Sequence, residues 1–176
     1  MKKAVTRLSS MIKKYAPAEA KAGSRSNNRF SFQESWSLHR LLNLHDQMND
    51  YLAVFDFCED FILFKDTASF GLADFYQIKT RDDGSWKISH LTGKKKKTPS
   101  FLSKLANHIK SHPKCQLNLF FVINGELTIK VSNSAAVPHE FFLHTVEKND
   151  LKKIESKMDN LKGTKLTRFI SQTCLI

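Results

Sequence analysis

The stretch that most constrains this chain is residues 53–64, AVFDFCEDFILF, where Phe, Ile, Leu and Val fall on both faces of an extended strand and three acids interrupt them. A strand apolar on both sides is covered on both sides, so the fold needs a sheet sandwiched between other layers. With side chains alternating, Asp56, Cys58, Asp60, Ile62 and Phe64 share one face, and Phe55, Phe57, Glu59, Phe61 and Leu63 the other. Carboxylates in such a strand are costly unless a divalent metal or a lysine meets them.

The next extended segment, residues 74–80 (DFYQIKT), supplies that lysine. Phe75, Gln77 and Lys79 share one face, Tyr76, Ile78 and Thr80 the other, and the connection KDTASFGLA suits a hairpin. Asp60, Gln77 and Lys79 are therefore expected to converge. Such a trio suits phosphodiester hydrolysis: an Asp oxygen and a Gln carbonyl are hard ligands for Mg²⁺, and an ammonium beside them polarises water. An ion pair with no turnover has the same spacing. Glu59 is expected on the opposite face, paired with a neighbouring basic helix and not with metal, unless a bulge reverses it, and Asp56, two pleats earlier, is expected to lie too far away.

Around these strands the chain reads as α/β. Residues 1–16 carry a short basic amphipathic pattern and AEAKAGSRSNN a flexible connector. A stronger helix is expected from Phe30 to about Gln47, with Leu38, Leu41 and Leu42 as its buried stripe. Glu34 lies within that stripe and Gln33 at its edge. Either of them reaches the cation or Lys79, or Glu34 is there because acids suit a first helical turn. Pro99 and Ser100 open a helix through about His112, LNLFFVI forms another strand, Asn124-Gly125 turns the chain so that ELTIKV pairs back, and Asn149 and Asp150 cap a final helix carrying Leu151, Ile154, Met158 and Leu161. Two regions follow: a basic helix and connector over 1–29, and one α/β domain over 30–176, a length that supports a single sizeable core.

Charge is unevenly spread. Residues 1–29 hold eight Lys/Arg against one acid, residues 30–90 five against ten, and residues 91–176 fifteen against six, for a net +11. Basic ends suit a phosphate backbone, and the run Lys94, Lys95, Lys96 and Lys97 is placed to grip phosphates without reading bases. Trp36 and Trp86 are expected in packing, not base stacking. Three cysteines without a CxxC support neither a disulfide framework nor a zinc ribbon. His108 and His112 stand at i, i+4, but no third ligand accompanies them. No signal peptide or membrane span is apparent, so a cytoplasmic, membrane-free protein is expected.

The runs RFSFQESWSLHRLL, VFDFCEDFILF and DFYQIKT together resemble the PD-(D/E)XK nuclease superfamily, and most closely the double-stranded-DNA endonuclease domain of CD-NTase-associated (CBASS) and Lamassu-type antiphage effectors. The likeness rests on Gln33, Glu59-Asp60 and Gln77-Ile78-Lys79 and covers about Arg25 to Val122. It implies a restriction-endonuclease-like central mixed β-sheet flanked by helices, and Mg²⁺- or Mn²⁺-dependent cleavage of duplex DNA. Asp60 would be the main ligand, Gln77 would take the usual Glu place, Glu59 would be a further ligand, and Lys79 would serve the water. Such domains join a sensor or coiled-coil region or act as oligomers, which makes this chain a candidate N-terminal part of a longer protein. The competing expectation is an inactive nuclease-fold domain that binds nucleic acid or mediates assembly.

Overall fold

The computed structural model describes residues 18–56, 58–68, 71–94, 98–158 and 161–176, with the backbone alone for 18–27. The basic pattern of residues 1–16 and Lys95, Lys96 and Lys97 lie outside the described residues. In chain order the elements are α1 (Ala18–His45), β1 (Leu52–Phe55), β2 (Phe61–Phe64), β3 (Leu72–Lys79), β4 (Ser85–Lys87) and α2 (Ile88–Thr92). They continue with α3 (Phe101–Ser111), β5 (Gln116–Ile123), β6 (Glu126–Thr128), β7 (Phe141–Phe142), a 3₁₀ turn (Leu143–Thr145), α4 (Lys148–Glu155), α5 (Thr164–Gln172) and β8 (Thr173–Leu175).

Among the described residues six strands form one mixed sheet in the order β1-β2-β3-β5-β8-β7, and β4 pairs with β6 in a second, smaller one. The β1–β2, β2–β3 and β7–β8 pairs are antiparallel, while β3–β5 and β5–β8 are parallel. Pleat alternation splits the apolar strands between two cores. Ile62, Phe75, Leu119 and Phe121 pack with Leu102, Leu105 and Ile109 of α3, Ile154 of α4 and Phe169 of α5. Phe61, Leu63, Tyr76, Ile78, Phe120 and Val122 face Phe32, Trp36, Leu41 and Leu44 of α1. This doubly covered mixed sheet is an α/β fold of the restriction-endonuclease-like kind.

Several elements differ from what the sequence suggests. Residues 53–64 do not form one strand. They fold into the β1–β2 hairpin, with Phe55 opposite Phe61 and the Asp56 amide donating to the Asp60 carbonyl at 3.3 Å. Asp56 takes a left-handed φ of 51° at that reversal, a conformation a short polar side chain tolerates. The α1 helix begins at Ala18, so the expected connector is helical backbone. Its inward stripe carries buried Ser37 and half-buried Gln33, Trp36, Arg40, Leu41 and Leu44, whereas Leu38 and Leu42 are exposed. Glu34 consequently sits in mid-helix, not in a first turn.

Asn124-Gly125 does not send the chain back along β5, because both edges of β5 are already occupied by β3 and β8. Instead β6 runs parallel to β4. The Asn124 side chain is spent on the β3–β4 connection: it accepts from the Arg81 amide at 2.7 Å and from Trp86 Nε1 at 3.3 Å, and it donates to the Arg81 carbonyl at 2.8 Å. A side chain at Gly125 is barred, since its Cβ would stand 2.0 Å from the Gly84 carbonyl oxygen.

The α3 helix starts where expected, its Ser100 N-cap accepting from the Ser103 amide. The segment α5–β8, which sequence patterning leaves unassigned, completes the sheet beside β5. Phe169 is fully buried there. Phe169→Ala is expected to cost about 3–5 kcal/mol of folding stability, read as a lower urea midpoint with unchanged slope; a loss below about 1 kcal/mol would mean that α5 is not seated in the core.

Candidate active site

The β1–β2 loop, the end of β3 and one helix build a cleft of about 520 Å³, lined by Asp56, Cys58, Glu59, Asp60, Gln77, Lys79, Lys104, Asn107 and His108. The acids and Cys58 come from the β1–β2 loop, Gln77 and Lys79 from the end of β3, and Lys104, Asn107 and His108 from α3. Pleat alternation explains the β3 pair: Phe75, Gln77 and Lys79 all point to the α3 face, and Phe75 lies against the His108 ring with centroids 4.4 Å apart. Asp60 keeps the face of Ile62, which is directly opposite Phe75.

Asp60 Oδ2 accepts from Lys79 Nζ at 2.7 Å and from the Ile78 backbone amide at 2.6 Å. Glu59 is corrected relative to strand alternation. It lies in the loop, outside any strand, and turns into the same cleft, where Oε1 meets His108 Nε2 at 2.8 Å and Oε2 accepts from Gln77 Nε2 at 3.2 Å. Asp56 also lines the cleft because the loop curls back; the expected distance of two pleats does not apply. Gln77 is buried, and its Oε1 has no hydrogen-bond partner.

Gln33 does not reach Lys79 or Asp60. Its Nε2 donates to the Ile78 carbonyl at 2.9 Å, which pins the end of β3 to α1. Glu34 is exposed and lines neither cleft. A second cleft of about 750 Å³ shares Lys79 and Lys104 with the first and adds Arg29, Gln33, Arg81, Trp86, His90 and Lys94 to its walls. Trp86 is floor to it, buried and hydrogen-bonded, and Trp36 packs on Tyr76 with ring centroids 5.4 Å apart.

A protein-family model described as "Cap4, dsDNA endonuclease domain" matches residues 21–174. The chain belongs to the Cap4 double-stranded-DNA endonuclease domain family. The match runs well past Val122, so α4, α5 and β8 are part of the Cap4 domain and not an appendage to it. No curated protein and no solved structure matches the chain.

Among the described residues no group of three or more His, Cys, Asp and Glu side chains is arranged to hold a metal ion. A hard cation that retains most of its water is the kind such a sparse donor set suits. Gln77 supplies the fitting observation: a buried amide oxygen with both lone pairs unspent, beside two carboxylates. In the Cap4 domain α3 is the contributor that sequence reading missed. The signal was present, since Lys104, Asn107 and His108 stand at i, i+3 and i+4 on one helical face.

The cleft electrostatics are open to a chemical test. Cys58 is exposed on the cleft wall, yet desolvation and then the neighbouring Glu59 charge push its thiol above the usual value. Burial, with Glu140 next, pushes Cys174 up to about 12. Less thiolate at a given pH means slower alkylation. Iodoacetamide at pH 8 is expected to label Cys58 more slowly than an unperturbed exposed thiol and to spare Cys174, and Glu59→Gln is expected to speed the Cys58 reaction. Mass spectrometry showing no acceleration in that variant would remove the Glu59 charge from this wall.

Proposed function

We propose that the cleft hydrolyses phosphodiester bonds of double-stranded DNA with little sequence preference, in the presence of Mg²⁺ or Mn²⁺. The observation that carries this reading is the meeting of Asp60, Gln77 and Lys79 in a cleft that opens, through Lys79 and Lys104, into a larger basic one. Asp60 and the Gln77 carbonyl oxygen would hold the cation. Both oxygens of Glu59 are already engaged, so Glu59 contributes mainly as neighbouring negative charge. A divalent cation in this place would neutralise phosphate charge and make a nearby water more acidic.

The remaining work falls to the protein's own groups. Lys79 Nζ, fixed by Asp60, points an N–H donor into the cleft, where it orients a water and faces negative charge as it grows on the phosphate. Gln33 keeps the β3 backbone, and with it Lys79, from drifting. Strand phosphates on either side of the scissile bond would lie along Arg29, Lys94 and Lys104, with Lys95, Lys96 and Lys97 continuing the charge. Such contacts position a backbone without reading sequence.

Membership of the Cap4 family supports a role as the effector module of an antiphage system, acting in the cytoplasm and switched on by oligomerisation or by a fused or associated sensor region. No helix among the described residues is long and apolar enough to cross a membrane. A second reading, a nuclease fold that binds DNA or mediates assembly without turnover, is favoured by one observation: Lys79 is already paired directly with Asp60.

Plasmid digestion separates the two. With Mg²⁺ or Mn²⁺ and forced dimerisation, nicking is expected; EDTA abolishes it, and Asp60→Ala and Lys79→Ala each lower it by roughly 10²–10³-fold while circular dichroism shows the fold retained. Unchanged nicking in both variants would end the hydrolytic assignment, and EDTA-insensitive binding without cleavage under any condition would establish the second reading. Replacing Lys94, Lys95, Lys96 and Lys97 together with alanine is expected to weaken duplex binding equally across sequences and to flatten the slope of log K against log salt by about one per lost phosphate contact. A slope unchanged by the fourfold substitution would exclude that run from the interface.

A further inference from the structure

Glutamine in the place usually held by glutamate raises a problem that a carboxylate does not have. A carboxylate presents the same two oxygens whichever way it is turned, whereas an amide has an acceptor end and a donor end of nearly the same shape. If Gln77 is to offer oxygen to a cation, something must fix which end faces it.

Glu59 does so directly. An ionised carboxylate only accepts, so the Gln77 end turned to Glu59 Oε2 at 3.2 Å must be the NH₂. The reverse orientation would set two acceptors against each other and leave the amino group in the buried position without an acceptor. Oε1 is left as the unpartnered atom. Glu59 in turn needs holding, because its side chain is only 6% exposed and a buried carboxylate oxygen without a donor is costly. The donor is His108 Nε2 at 2.8 Å. The His108 ring packs on Phe75 with centroids 4.4 Å apart, and His112 lies against both rings, 6.2 Å from His108 and 6.1 Å from Phe75.

We propose that His108 is a positioning residue for the cation site: through Glu59 it sets the orientation of the Gln77 amide and keeps the carbonyl oxygen free for a divalent ion. The inference rests on the reading of the cleft given above, and adds a residue of α3 that touches neither the ion nor the phosphate. Outer partners that orient a ligand commonly change metal affinity by 10–100-fold when removed.

The decisive measurement is Mn²⁺ binding to the full chain without DNA, followed by the electron spin resonance signal of free Mn²⁺. His108→Ala removes donor and ring, His108→Phe retains a ring against Phe75 without the donor, and His108→Gln restores an N–H. His112→Ala perturbs the same stack without touching Glu59. The Ala and Phe variants are expected to raise the Mn²⁺ dissociation constant by roughly 10–100-fold, the Gln variant to recover most of the loss, and His112→Ala to match the parent, with duplex binding in EDTA unchanged throughout. If Ala fails to fold, the Phe variant reads the same link. Parent-like Mn²⁺ affinity in His108→Phe, or no Mn²⁺ binding by the parent chain, would overturn the proposal. A chain that binds Mn²⁺ in a His108-dependent way but leaves plasmid intact would refute hydrolysis and uphold this inference, whereas an active chain whose Mn²⁺ affinity ignores His108 would do the reverse.

Discussion

One carboxylate oxygen organises the cleft end of this molecule. Asp60 Oδ2 receives the backbone amide of Ile78 and the ammonium of Lys79, so a loop between two short strands is tied to the strand that carries the other polar groups of the cleft. Charge-assisted bonds of this length are among the stronger contacts a partly exposed site makes. The tie also explains how three acids survive next to so apolar a hairpin. They do not lie in the pleated strands at all but in the reversal between them, where Glu59 and Asp60 find donors in the cleft and Asp56 is exposed.

The opposite face of the sheet shows how a buried acid is managed when no reaction is involved. Asp74 lies in the middle of β3, almost wholly buried, and is met by Lys65 at 2.7 Å, the Asn118 amide at 2.8 Å and the Tyr76 hydroxyl at 3.2 Å. Every oxygen is used, and burial with the Asp74 charge pushes the Tyr76 hydroxyl far above its usual range. Gln77, three residues later, has an oxygen with nothing to accept. Satisfaction on one face and an orphaned atom on the other separate scaffold from candidate site.

Much of this was legible beforehand, for physical reasons that differ by element. The doubly apolar strands β2, β3 and β5 announce a covered sheet, and alternation alone puts Gln77 and Lys79 on one face. A continuous apolar run carries no period, however, so nothing in AVFDFCEDFILF marks where the hairpin reverses, and the fates of Glu59 and Asp56 turn on that. The stripe Leu38/Leu42 misled because apolarity is not burial: α1 presents Trp36, Leu41 and Leu44 inward and leaves those leucines in solvent. His108 was visible only as half of an unfinished zinc pair. Its real partner, Glu59, is separated by 49 residues, a distance no local pattern spans.

The placement of β8 has a consequence for biosynthesis. The central strand β5 is flanked on one side by β3, which precedes it, and on the other by residues Thr173–Leu175. Until those residues leave the ribosome, β5 presents a bare row of amides and carbonyls on an apolar ribbon, an invitation to pair with another chain. A nascent or prematurely terminated copy of this domain is therefore an aggregation hazard rather than a half-active enzyme.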